Sequence, residues 1–144
     1  MTQEDKNLLF KDLCARLPYG VNVEYDNNAC EVLSIDKYNE ELNIWKSPGY
    51  SPIVKLEDCK PYLFPLSSMT EEQKKEISKR YNFHNLYGSC IEITNHSEGY
   101  WDTDTSCDLR DYLWLIDYFY KNHIDFRGFI ELGLAKNATG LNIY

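Results

Sequence analysis

The chain has 144 residues, 43% of them hydrophobic and 15% aromatic, and a formal charge of −8. That length fits one domain over residues 1–144 and buries roughly 68–70% of the unfolded surface, so a core needs no disulfide or metal to hold it. The acidic balance speaks against a general nucleic-acid binder, which needs a basic footprint, and no apolar run approaches the ~20 residues that span a membrane.

The polar start, Met1-Thr2-Gln3-Glu4-Asp5-Lys6, has no signal-peptide character. Thr2 and Asp5 have capping-box spacing and open a helix. Leu9, Phe10, Leu13, Cys14 and Leu17 fall on one face of it, and Pro18 and Gly20 stop it. Short strands follow. Val21, Val23 and Tyr25 alternate with Asn22 and Glu24, and Asp26-Asn27-Asn28 is a turn cluster. Cys30 to Ile35 reads as a second strand, with Cys30, Val32 and Ser34 on one face. After a turn at Asp36 to Glu40, Leu42, Ile44 and Trp45 mark a third. Ile53 to Leu56 and Tyr62 to Phe64 complete a meander. The predicted class is therefore α+β, with a small antiparallel sheet for which an SH3-like barrel is one available form.

Thr70 and Gln73 repeat the capping-box spacing and open a surface helix whose apolar anchors are Ile77 and Tyr81. Its Lys74, Lys75, Lys79 and Arg80 read as a solvated face. Ser89 to Thr94 has strand character through Ile91 and Ile93. A polar loop from His96 to Thr105 leads to a long aromatic helix from about Ser106 to Lys121. Leu109, Tyr112, Leu113, Ile116, Phe119 and Tyr120 lie at helical spacing and predict its core face. Trp114 and Tyr118 lie on the opposite side. Such a helix is either sandwiched inside the fold, with Phe126, Phe129 and Ile130 folded back over the ridge, or it presents that ridge to a partner. Asp125 is placed to cap a short last helix from Arg127 to Leu132, with Gly133 ending it. Arg127 then ties this docked tail to a carboxylate or a carbonyl.

The chemistry-bearing residues form no complete catalytic signature. Asp102, Asp104, Ser106 and Asp108 occupy alternate positions of a calcium-type loop, but Cys107 and Leu113 stand where such a loop needs Gly and a bidentate Glu. No metal or cofactor is assigned. Cys14, Cys30, Cys59, Cys90 and Cys107 are scattered and never form a C-x-x-C pair, which fits free thiols in a reducing compartment. His84, His96 and His123 are available to a Cys–His pair, yet nothing in the spacing joins them. No catalytic residues are assigned. The candidate binding residues are Trp101, Asp102 and Asp104 of the acidic loop, Trp114 and Tyr118 of the ridge, and Arg127.

Three blocks carry a resemblance. Leu8-Leu9-Phe10-Lys11-Asp12-Leu13-Cys14-Ala15-Arg16-Leu17-Pro18-Tyr19-Gly20-Val21 resembles the opening of a family of small uncharacterised proteins frequent in Bacteroides-type genomes and their phages or prophages. Lys60 to Glu72 and Asp125 to Ala135 are similar to the middle and end of that family. The resemblance implies a bacterial or phage cytoplasmic setting and transfers no activity or site residue. Residues Asn82 to Ser106 match none of its blocks. The sequence thus leads to a non-enzymatic binding or adaptor protein of a mobile element or its host, with a protein partner. The alternative is a small-molecule binder or small enzyme taking a nucleotide-like ligand, with stacking tyrosines and the Lys74–Arg80 cations on phosphate.

Overall fold

The computed structural model describes residues 1–81 and 109–144, with the side chains of Ser78, Arg80, Tyr81 and residues 109–111 left aside. Thr2 caps α1 (Gln3–Arg16) as its spacing predicts. The Thr2 hydroxyl accepts from the Asp5 amide at 3.1 Å, and the Asp5 carboxylate accepts from the Thr2 amide at 2.8 Å. The buried stripe of α1 is Leu9, Asp12, Leu13 and Arg16, a helical repeat that includes two charged residues. Cys14, expected on that face, is exposed. Gly20, at φ 73°, ends the turn after the helix in the left-handed region that glycine adopts at little cost.

Next comes an antiparallel meander. β1 (Asn22–Tyr25) and β2 (Asn28–Asp36) are joined by Asp26 and Asn27, both at positive φ. That is the type I′ geometry, whose twist matches the two strands it connects. β3 (Glu41–Trp45) pairs with β2, and β4 (Ile53–Lys55) pairs with β3. Between β3 and β4, Pro48-Gly49 makes a tight turn closed by the Tyr50 amide on the Ser47 carbonyl at 2.9 Å.

β2 carries a bulge. Val32 pairs with Ile44 but Ser34 pairs with Asn43, so Leu33 is the extra residue. The bulge reverses the alternation predicted for this strand. Cys30 and Val32 point inward as expected, whereas Ser34 turns outward with Leu33. Single-strand periodicity cannot anticipate this, because the extra residue is defined only against the partner strand.

The chain divides into two compact units: residues 1–63 with 127–144, and residues 64–126. In the first, strands run in the order β4-β3-β2-β1-β5, where β5 (Lys60–Pro65) contributes Lys60 to Leu63. β7 (Lys136–Asn137) adds to β5 in parallel. Leu9, Leu13, Val23, Leu42, Ile44 and Phe129 are among the side chains that fill its core. In the second unit, Phe64 and Pro65 of β5 pair in parallel with β6 (Ile124–Asp125). The sheet is mixed and open. The α+β class stands, and the open edge at β4 means that the SH3-like barrel does not form.

The second unit also holds α2 (Glu71–Tyr81) and α3 (Leu109–Lys121). The Thr70–Gln73 capping box forms in both directions, at 2.9 and 3.2 Å. α3 buries Leu115, Tyr118 and Phe119, together with Leu66, Met69, Ile77 and Ile124. Tyr112 and Leu113, read as core from the sequence, are 40% and 58% exposed. His123, in the left-handed region, ends the helix, and its carbonyl accepts the Phe64 amide at 2.9 Å. Among the described residues no helix is long and apolar enough to cross a membrane.

The inner face of α3, which keeps the expected Phe119 but has Leu115 and Tyr118 in place of Tyr112 and Leu113, is directly testable. Leu115→Ala should destabilise the protein by about 2–5 kcal/mol through a core cavity, whereas Leu113→Ala should cost no more than about 0.5 kcal/mol. Urea denaturation of the two variants measures the difference, and equal losses would contradict this packing.

Candidate functional site

Trp101, Asp102 and Asp104 lie outside the described residues, as do His84, His96, Cys90 and Cys107. The other predicted binding residues are held by internal partners. The rings of Trp114 and Tyr118 meet at a tilt, with centroids 5.1 Å apart, and Tyr118 is only 6% exposed. The Tyr118 hydroxyl donates to the Glu76 carboxylate of α2 at 3.0 Å. Burial, with the Glu76 carboxylate behind it, pushes the Tyr118 phenol up to about 12. The ridge on α3 is therefore largely a packing surface against α2. Phe126 lies instead against Phe119 and Tyr120, at 5.6 and 5.2 Å. Phe129 and Ile130 belong to the core of the first unit.

Arg127 does what the sequence suggests, tying its segment to a carboxylate. Its Nε lies 3.3 Å from Asp12 Oδ1. Asp12 also accepts from Arg16, at 2.6 Å from Nε and 3.3 Å from Nη2, and both of those side chains are fully buried. One carboxylate thus serves two guanidinium groups. The expected helix from Arg127 to Leu132 is a run of turns. Asp125 sits in β6, and the Phe129 carbonyl accepts both the Leu134 and Ala135 amides. A single sequence marks Asp12 and Arg16 only as an i,i+4 pair, a spacing far commoner on exposed helix faces.

Among the described residues, no group of three or more His, Cys, Asp or Glu side chains is arranged to hold a metal. Burial raises the Cys14 and Cys30 thiols and carries Cys59 to about 12, so none of these three is poised as a thiolate near neutral pH. On α2, Lys74 pairs with Glu71 at 2.7 Å, and Lys75 and Lys79 are exposed. This is the solvated face that the sequence predicts.

The surface that stands out is the outer face of β2, β3 and β4. Leu42 and Ile44 point inward, so Glu41, Asn43 and Trp45 point outward. Ile53 pairs with Asn43 and shares that side, and the bulge places Leu33 there too. Trp45 and Leu33 are 45% and 46% exposed, and Ile53 is 67% exposed. Tyr50 is exposed in the turn between β3 and β4. The Oδ1 of Asn43 is buried at the centre of this face and has no hydrogen-bond partner among the described residues. Such an orphaned acceptor costs about 1–3 kcal/mol. Lys46 is held by Asp26 at 2.7 Å and lies 5.5 Å from the Tyr25 ring centroid, while Lys55 pairs with Glu41 at 2.7 Å. The apolar patch is therefore flanked by cations already engaged with acids. In the sequence Trp45 marks the third strand and nothing singles it out for binding. The exposure of Leu33 depends on the bulge, and that of Ile53 on β4 being an edge strand.

The chain matches no protein-family model, no curated protein and no solved structure.

Two measurements probe these contacts. Asp12→Ala should cost about 3–5 kcal/mol, because it removes the carboxylate that pairs with a fully buried guanidinium. Arg127→Ala should cost about 1 kcal/mol or less, since that side chain is 36% exposed and solvent screens the pair. Denaturation midpoints separate the two. For Tyr118, the folded-state value near 12 lies above the ordinary phenol value of about 10. The group is protonated in both states below pH 10, where its contribution is complete. Between pH 10 and 12 the unfolded chain ionises first and that contribution is lost. Tyr118→Phe should therefore flatten the fall in stability across that window, and an unchanged slope would contradict the assignment.

Proposed function

We propose that the protein is a non-enzymatic binding or adaptor protein that presents the outer face of β2–β3–β4 to a protein partner. The observation that carries this reading is the grouping of Leu33, Trp45, Tyr50 and Ile53, all exposed, on or beside one face of a well-paired meander. Scattered exposed apolar residues are ordinary, but a contiguous set on a rigid sheet is the usual form of a docking patch. Tryptophan and tyrosine add large contact area at low conformational cost. The raised cysteines and the internally held Tyr118 and Arg127 also fit a protein that works by contact. The setting we assign, the cytoplasm of a bacterium or its phage, rests on the resemblance of the Leu8–Val21, Lys60–Glu72 and Asp125–Ala135 blocks.

The test is native mass spectrometry of the protein purified gently from a bacterial host of the resembled type. The wild type should carry a specific added protein mass. Trp45→Ser with Ile53→Ser should lose that mass while keeping unfolding free energy within about 0.5 kcal/mol per site. An added small mass that disappears on denaturation would instead support the nucleotide-like ligand reading.

A further inference from the structure

β1 and β5 stop pairing directly after two residue pairs, Val23 with Pro61 and Glu24 with Lys60. Proline has no N–H to give the ladder. The next antiparallel position would set Asn22 against Tyr62, and there the hydroxyl of Tyr144 stands between the two strands. It accepts the Asn22 amide at 3.2 Å and donates to the Tyr62 carbonyl at 2.8 Å. A side chain from far along the chain thus completes the backbone ladder.

The same segment holds β5 from its other edge. Lys136 and Asn137 pair with Tyr62 and Leu63, and the Ala138 amide donates to the Leu63 carbonyl at 2.8 Å. Lys136 reaches past β5 to Glu24 of β1 at 2.9 Å. Residues 136–144 therefore straddle β5. Little apolar burial holds them there. Leu134 and Ala135 are anchored in the core, but from 136 to 144 only Ala138 is buried, and Leu141 is 49% exposed. A segment held by polar contacts with so small an apolar anchor belongs to the low-stability end of a structure.

We infer that residues 136–144 are a releasable strap over β5 that opens as one unit beyond the Leu134–Ala135 anchor, without unfolding of the meander. Release frees the Leu63 carbonyl on the outer edge of β5, and the Asn22 amide and Tyr62 carbonyl on the side that faces β1. The outer edge of β5, once bare, is where an incoming extended segment would add to the sheet. The strap is thus a built-in occupant of a strand-binding position, separate from the β2–β3–β4 face.

Native-state hydrogen exchange of the full chain, read by NMR, tests this with each variant followed at an amide it does not touch. In the wild type, Asn22 and Ala138 should exchange through one opening, more readily than Val32 and Ile44, whose amides are bonded to Val21 and Pro52. In Tyr144→Phe, Ala138 should exchange about tenfold faster or more, the effect of removing both hydrogen bonds of that hydroxyl from a shared opening. In Lys136→Met, Asn22 should exchange roughly two- to fivefold faster, as suits a partly exposed ion pair. Unchanged Ala138 exchange in Tyr144→Phe would overturn the single unit. Wild-type exchange of Asn22 and Ala138 only together with Val32 and Ile44 would overturn release short of global unfolding.

Discussion

The first unit is organised around a charge that water cannot reach. Asp12 and Arg16 are both completely buried on the inner face of α1, where an isolated carboxylate or guanidinium would be prohibitively expensive. Their contact at 2.6 Å, with Arg127 on the second oxygen, is what makes that burial possible. Such a group adds little net stability compared with apolar side chains of similar size. Its influence lies in what its rupture would cost. The two sit one turn apart on α1, so they are buried together beside Leu9 and Leu13, and Arg127 adds a partly exposed tie from the returning chain.

On that base the meander divides its residues between two tasks. Val23, Val32, Leu42 and Ile44 fill the core. The bulge at Leu33 then reverses the facing of the rest of β2, so that an apolar side chain joins Trp45 and Ile53 on the outside. A regular strand would have kept Val32 and Ser34 on one side. The extra residue gives up a regular pair in exchange for a wider apolar face, and the short β4, flanked by Pro52 and ending in Lys55, makes edge-to-edge pairing unfavourable. The aromatic side chains of α3 and β3 thus meet different surroundings. Tyr118 is absorbed by Glu76 and the α2–α3 packing, while Trp45 remains available.

α3 shows why a hydrophobic helix is hard to orient from its own residues. Apolar side chains occur around most of its circumference, so the periodicity does not select one face. The expected stripe of Leu109, Tyr112, Leu113, Ile116, Phe119 and Tyr120 is as convincing as the buried set of Leu115, Tyr118 and Phe119, and Phe119 belongs to both. The buried choice follows from what lies opposite. α2 offers Ile77 and a carboxylate for the tyrosine hydroxyl, and Phe126 stacks on Phe119.

Local sequence by itself determined most of the described elements, though not the expected helix from Arg127 to Leu132. The two capping boxes, the positive-φ Asp26-Asn27 hairpin, the Pro48-Gly49 turn and the alternation in β1 and β3 each depend on neighbours within a few residues, and each formed as its chemistry requires. The tie from Arg127 to a carboxylate was legible as chemistry, though its partner was not. Tertiary structure alone decided which carboxylate that is, where the β2 register slips, which side of α3 is inside, and which aromatic side chains meet water. These outcomes depend on pairs distant in sequence: Asp12 with Arg127, Val32 with Ile44, Tyr118 with Glu76, and Tyr144 with Asn22. A pattern with a period of two or of 3.6 residues reports how a segment can face. What it does face is set by the free energy of the contacts that long loops bring together.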